Sequence, residues 1–232
     1  MIPLRDNIPT LRFAYVTYLF IGVNILVFLY ELALGQRGFE EFVLTYGYVP
    51  RNVAWAITSG DFSAAALFPL VTSIFIHGGW VHLLGNMLYL HIFGNNVEDS
   101  MGHLRFAFFY VGIGALANLG QVLVTPGSDV PGIGASGAIA GVLGAYLLLY
   151  PRAGVLVLVP FFFFVPMVIP AVVVLVFWFV IQLFQGTLTL AAGAAGAGGV
   201  AFWVHATGFV LGMVLIPLFR NRRLTEVKAA WR

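Results

Sequence analysis

Residues 155–181 are wholly apolar, interrupted only by Pro160, Pro166 and Pro170. A stretch of that length exceeds the roughly 20 residues needed to cross a bilayer, and several other apolar runs accompany it. Charged residues make up only 9% of the 232-residue chain and hydrophobic ones 61%, whereas soluble domains carry about 25% charge. A soluble globular protein is excluded, and a polytopic helical membrane protein remains. The long unbroken runs lack the period-2 alternation of a transmembrane β-barrel. A net charge of +2 gives no basis for a nucleic-acid partner, and the absence of cysteine removes disulfides and thiolate metal sites.

Candidate spans fall at 13–34, 79–97, 104–124, 135–150, 165–185 and 200–219. The first is too long for a signal-peptide core and lacks a small-residue cleavage site, so it reads as a retained helix. Residues 64–76 are apolar but short and contain Pro69. They read as an interfacial or re-entrant piece of a long, membrane-associated first loop over 35–78. The prolines place the start of the fifth helix near Pro170. Six spans put Arg5, Arg12, Arg105, Arg152, Arg220, Arg222, Arg223, Lys228 and Arg232 on one side and only Arg37 and Arg51 on the other. That asymmetry is a positive-inside signature with both termini cytoplasmic. The reading is therefore an all-α, six-helix bundle over 13–219, with a cytoplasmic segment at 1–12 and a basic tail at 220–232.

This topology runs the second, fourth and sixth helices in the same direction. Their leading turns carry His82 and Asn86, then Ser136, then His205, so these groups reach a similar depth in the outer half of the membrane. Polar and ionisable groups in a span are functional candidates by default. The fourth helix is short, and the segment Thr125 to Gly134 before it must line a protein-buried or water-filled cavity. A serine hydroxyl becomes a useful nucleophile when a base removes its proton, and histidine suits that task near neutral pH. Gly137 and Gly141 form one small-residue face and Gly208 and Gly212 another, which allows the two helices to approach closely. His82 and Asn86, spaced i, i+4, share a helix face. They are either interhelical hydrogen-bonding glue or donors to an oxyanion, joined by the Ser136 N–H.

Other polar residues receive bland readings. Asp129 is the only nearby acid and lies in the outer loop, so a Ser–His dyad is favoured over a triad. His91 lies nearly opposite His82 on the helix, and His103 belongs to a short inner loop. Glu98 and Asp99 read as a helix boundary with Arg105 as a partner. HExxH is absent and the histidines scatter over both faces, so no metal site is expected.

Taken together, GASG at 134–137, H-x-x-x-N at His82 and Asn86, and H-x-x-G-x-x-x-G from His205 to Gly212 resemble the rhomboid family of intramembrane serine proteases. The resemblance runs from the first loop through the sixth helix. It implies a six-helix fold that cleaves transmembrane protein substrates within the lipid bilayer, without a cofactor. The active site would open to the outer side of a bacterial or archaeal cell membrane. By position, Ser136 resembles the nucleophile, His205 the general base, and His82 and Asn86 the oxyanion-hole side chains. Gly134, Gly137, Gly208, Gly212 and His77 take supporting places. Ala140 departs from relatives that place a tyrosine there against the base, so another group, such as Trp203 or Phe209, is expected to orient His205. The Gly/Ala-rich segment 186–199 suits a mobile lid. The alternatives are a non-catalytic, client-binding relative, which the intact Ser–His pair disfavours, and a small transporter, which predicts internal repeats that the chain lacks.

Overall fold

The computed structural model describes residues 1–160, 164–192 and 202–221. Helix α1 spans Tyr15–Ala33 and is followed by α2 (Gly35–Tyr46), α3 (Pro50–Ser59), α4 (Ala64–Leu67) and α5 (Pro69–Thr72). A short turn at Ser73–Phe75 leads to α6 (Trp80–Tyr89), which continues through a π turn at Leu90–Gly94 into α7 (Asn95–Met101). The remaining helices are α8 (His103–Val124), α9 (Ser136–Leu149), α10 (Ala171–Ala191) and α11 (Phe202–Phe219).

Among the described residues, α1, α8, α10 and α11 are long and apolar enough to cross a membrane. The pair Ala64–Phe75 and Trp80–Met101 also qualifies when taken as one unit, but it bends by 83° at its break. Helix α9 is apolar but has only 14 residues, about 21 Å at 1.5 Å per residue, short of a core about 30 Å thick. Length and composition therefore give four spans, or five with the bent pair.

Nearly every residue of α9 is buried, because the other helices surround it. Its glycines let α11 approach to backbone contact. A Cβ built on Gly212 would lie 2.0 Å from the Gly141 carbonyl oxygen, and one on Gly208 would lie 2.2 Å from the Gly137 oxygen. Gly144 meets the Phe209 oxygen at 2.0 Å in the same way. Helix α8 closes on both partners, with Gly114 against Ile74 and Ala138 and Gly120 against Thr207. In lipid, where apolar side chains gain little by leaving their surroundings, close packing of small residues is the main source of helix association.

The end of the bundle at the C-terminus of α9 is polar and tightly tied. Ala14, which precedes α1, offers no side-chain cap. The buried Glu98 carboxylate supplies one, accepting from Val16 N (3.0 Å), Thr17 N (2.7 Å) and Thr17 Oγ1 (2.6 Å), and it also meets His103. An acid at a helix N-terminus satisfies free N–H groups and complements the dipole. Asp99 accepts from Leu11 N and pairs with Arg12 at 3.3 Å. Residues 98–99 thus anchor the start of α1, a larger role than a simple helix boundary.

Two expectations need correction. The fold is not all-α: β1 (Ile2–Asp6), β2 (Gly154–Pro160) and β3 (Phe164–Pro170) form an antiparallel sheet in the order β1-β2-β3. Val-rich β2 and proline-containing β3 favour extended backbone over helix, and β1 adds to the β2 edge. Residues 1–12 are accordingly built into the fold, with Asp6 accepting from Tyr146 Oη at 2.6 Å and Asn96 Nδ2 at 2.8 Å. The fifth helix starts at Ala171, directly after Pro170, and runs on to Ala191. The proposed lid therefore loses its first residues to helix, and 193–199 lie outside the described residues, as do 222–232 of the basic tail.

The glycine contacts yield a contrast. Gly212→Ala should destabilise the protein by roughly 2 kcal/mol or more, since backbone opposes the added methyl. Gly112→Ala, which meets nothing within 4 Å, should leave stability unchanged or slightly raised. Unfolding of both variants in detergent micelles measures the difference.

Candidate active site

A cavity of about 1060 Å³ occupies the end of the bundle opposite the Glu98 cluster. Ser136, His205, His82 and Asn86 all line it. His82, Ser136 and His205 sit in the first turns of α6, α9 and α11, and Asn86 lies one turn further along α6 on the face of His82. Ser136 opens α9 half-buried, after Ala135, which provides no side-chain cap. The first N–H groups of that helix, including that of Ser136, have no partner within the helix.

The loop before Ser136 lines the cavity through Thr125, Ser128 and the run 130–133. Its backbone is held by the first loop. Tyr48 and Gly132 exchange N–H···O bonds of 3.2 and 2.8 Å, Arg51 N donates to Ser128 O at 3.0 Å, and Gly134 N donates to Ser73 O at 2.8 Å. Arg51 also reaches Gly127 O at 2.8 Å and pairs with Asp129 at 2.8 Å. Asp129 is thereby engaged by Arg51 at the exposed rim. The segment 35–78 is thus a folded brace for the loop that ends in Ser136.

Gly134 combines two requirements. Its φ of +121° lies where side chains are rarely tolerated. A Cβ there would stand 2.7 Å from His82 Cε1 and Nε2 and 3.9 Å from Asn86 Nδ2. The His82 ring therefore lies directly against the backbone leading into Ser136. Asn86 Nδ2 is buried with no partner among the described residues, leaving a donor near the same loop. His77 is fully buried beneath His82, with ring centroids 5.0 Å apart. The His77 backbone N–H donates to Glu31, a buried acid on α1, with its nitrogen 3.3 Å from each carboxylate oxygen. His77 thus packs against His82, and Glu31 was not anticipated.

The groups that orient His205 also differ from expectation. Its Nδ1 lies 2.8 Å from Gln182 Oε1 on α10, and both side chains are buried. Trp178, one turn earlier on α10, lies against the ring with centroids 5.8 Å apart and planes 34° from parallel. Phe209 packs behind Trp178 at 5.9 Å, and Trp203 lines the cavity. Gln182 is the only hydrogen-bonding side chain between Ala153 and Gln185 apart from the Trp178 indole. That isolation was the signal available in the sequence. With the glutamine oxygen turned to the ring, Nδ1 is the donor of this contact, the arrangement in which Nε2 keeps its lone pair.

His91 is exposed, with Nδ1 3.4 Å from Tyr18 Oη, and is not among the residues lining the cavity. His103 belongs to the opposite polar cluster. Among the described residues no group of three or more His, Cys, Asp or Glu side chains is arranged to hold a metal.

The rhomboid domain family matches residues 64–222. The chain belongs to the rhomboid family. With its apolar helices, that membership makes it a multi-pass integral membrane protein. The putative rhomboid protease YdcA of Bacillus subtilis is 39% identical over 80 residues, covering 34% of this chain and 40% of the relative. The rhomboid protease GluP of the same species is 36% identical over 132 residues, 56% of this chain and 24% of the relative. Rhomboid-like protein 11, chloroplastic, of Arabidopsis thaliana is 29% identical over 144 residues, 62% of this chain and 45% of the relative. The chain spans less than half the length of each of these relatives. A match to inactive rhomboid protein 1 of Drosophila melanogaster is 30% identical over 83 residues, 36% of this chain and 6% of the relative.

The tight fit at Gly134 predicts that Gly134→Ala displaces the His82 ring. In protein with labelled histidines, the His82 imidazole resonances should shift while those of His91, exposed and distant, stay in place.

Proposed function

We propose that this rhomboid-family chain is a serine endopeptidase that hydrolyses peptide bonds in or near transmembrane segments of membrane proteins. The observation that carries the reading is the shared cavity: a serine at the open start of α9 and an imidazole whose Nδ1 is engaged by Gln182. The names of the two Bacillus relatives support the same chemistry.

In this reading, His205 Nε2 takes the proton from Ser136 Oγ as that oxygen attacks the substrate carbonyl carbon. The carbonyl oxygen becomes an oxyanion, with the Ser136 N–H, Asn86 Nδ2 and the His82 ring as its donors. His205 then returns the proton to the leaving amine as the C–N bond breaks, and an acyl ester remains on Ser136. Water entering the cavity gives a proton to His205 and its oxygen to the carbonyl, releasing the carboxylate product and restoring the serine. General acid–base transfer contributes about 10²–10⁴-fold, and one oxyanion donor about 10²–10³-fold. Gln182 acts through His205: it keeps the base in one tautomer, much as the acidic member of a triad would.

The six-span topology belongs to the same proposal. A short α9 is tolerable at the centre of the bundle because its ends meet protein and water instead of lipid. Helix α6 with α7 serves as the second span and residues 64–75 as a re-entrant piece. The bundle is taken as 13–219, with 220–232 as a cytoplasmic tail. Both termini and the Glu98 cluster then face the cytoplasm, and the cavity opens outward, in accord with the arginine asymmetry. The match to an inactive relative favours one rival, a client-binding protein without hydrolysis.

Ser136→Ala should abolish cleavage of a single-helix substrate in liposomes while leaving the protein folded. Undiminished cleavage would remove the mechanism, and an inert wild type would favour the rival. Asn86→Ala should lower kcat by about 100-fold. Gln182→Met should lower kcat by roughly 10-fold or more at little change in KM and alter the pH profile of kcat, whereas Gln182→Glu, which keeps the acceptor, should retain much more activity.

A further inference from the structure

The sheet at the end opposite the cavity has no counterpart in the proposed chemistry. Its inner face is accounted for: Val155 and Val157 are fully buried against the bundle. The other face is not. Along β3, Val168 is 68% exposed and Phe164 61%, and both stand on this outward face, opposite Leu156 and Pro160. Cross-strand pairing sets Ile2 beside Leu158 and Pro166, and Arg5 beside Leu156 and Val168. From Val155 to Ile169 neither strand carries a polar side chain. A surface of this kind in water would be an aggregation site, and exposed apolar patches mark a partner or a membrane.

Three observations indicate which. First, β3 passes into α10 at Pro170–Ala171 without a linker. The exposed side chains of α10, among them Val173, Phe177 and Val180, are apolar and belong to a membrane-crossing helix. The open face of the sheet is therefore continuous with a lipid-facing surface. Second, Arg5 in β1 and Arg152 just before β2 are exposed, so cations accompany the apolar residues, as anionic headgroups require. Third, among the described residues β1 and β3 are both edge strands, each with backbone groups that have no strand partner. Open edges are not tolerated in hydrocarbon, which sets a limit on depth.

We propose that the β1–β3 sheet is a membrane-interface anchor, resting its open face on the headgroup–acyl boundary of the leaflet at this end of the bundle. The apolar side chains of β3 enter the upper acyl region, Arg5 and Arg152 meet lipid phosphates, and the strand edges stay among headgroups and water. Because β2 and β3 lie directly before α10, the anchor also fixes the height of that helix, and with it the level of Gln182 and Trp178.

The absence of cysteine in the chain makes site-specific labelling direct. Val168→Cys and Phe164→Cys, both exposed on the outward face, would each carry a nitroxide in vesicles of phosphatidylcholine and phosphatidylglycerol. The expected result is collision with oxygen several-fold more frequent than with a water-soluble nickel complex. A fluorophore at the same sites should be quenched several-fold more by lipids spin-labelled near the headgroup end of the chain than near its tail. Free access of the nickel complex would overturn the proposal. So would stronger quenching from the chain tails, or a label shielded from both colliders only at high protein-to-lipid ratio, which would assign the face to a second copy of the chain.

Discussion

The backbone contact between α9 and α11 is the constraint on which the rest depends. Gly137, Gly141 and Gly144 on one helix, and Gly208 and Gly212 on the other, leave no room for a methyl group between them. That closeness fixes the rotation and height of α11 relative to α9, and so brings the leading turns that hold Ser136 and His205 to one cavity. A bundle assembled on larger apolar side chains would stand its helices further apart and widen the space between those turns. Small residues here do the work that a hydrophobic core does in water.

Around that pair the polar groups divide between two ends with distinct roles. At one end Glu98, Asp99, Asp6 and Tyr146 are satisfied by one another, by Arg12 and by the start of α1. Such fully bonded clusters stiffen a structure. At the other end Asn86 Nδ2 and both ring nitrogens of His77 have no partner among the described residues. Helix α10 joins the two ends: it emerges from the sheet near the first and delivers Gln182 and Trp178 to the second. A displacement of α10 would therefore change the hydrogen bond at His205 Nδ1 before it disturbed Ser136.

Much of this was legible in the sequence, because spans and small-residue faces obey strong length and spacing rules. That Ser136, His205, His82 and Asn86 reach one cavity followed from the common direction of three helices. The sheet did not. An apolar run with β-branched residues and prolines satisfies the criteria for a span and for a strand alike, and only pairing with distant Ile2–Asp6 decides between them. Gln182 was missed because two amides three residues apart in a long apolar helix, Gln182 and Gln185, have no distinguishing signature; its meaning appears only when His205 is found 2.8 Å away. Glu31 was missed for the related reason that an acid at the end of a span resembles an interface residue. In each case the missing information was a tertiary contact.

The central claim is that a hydroxyl and an imidazole from separate helices form one reactive unit. Mass-spectrometric mapping of a fluorophosphonate adduct tests it most directly. The account predicts modification at Ser136 alone, reduced by orders of magnitude in His205→Ala protein that remains folded. Modification at another residue, or equal labelling of Ser136 with and without the imidazole, would contradict it.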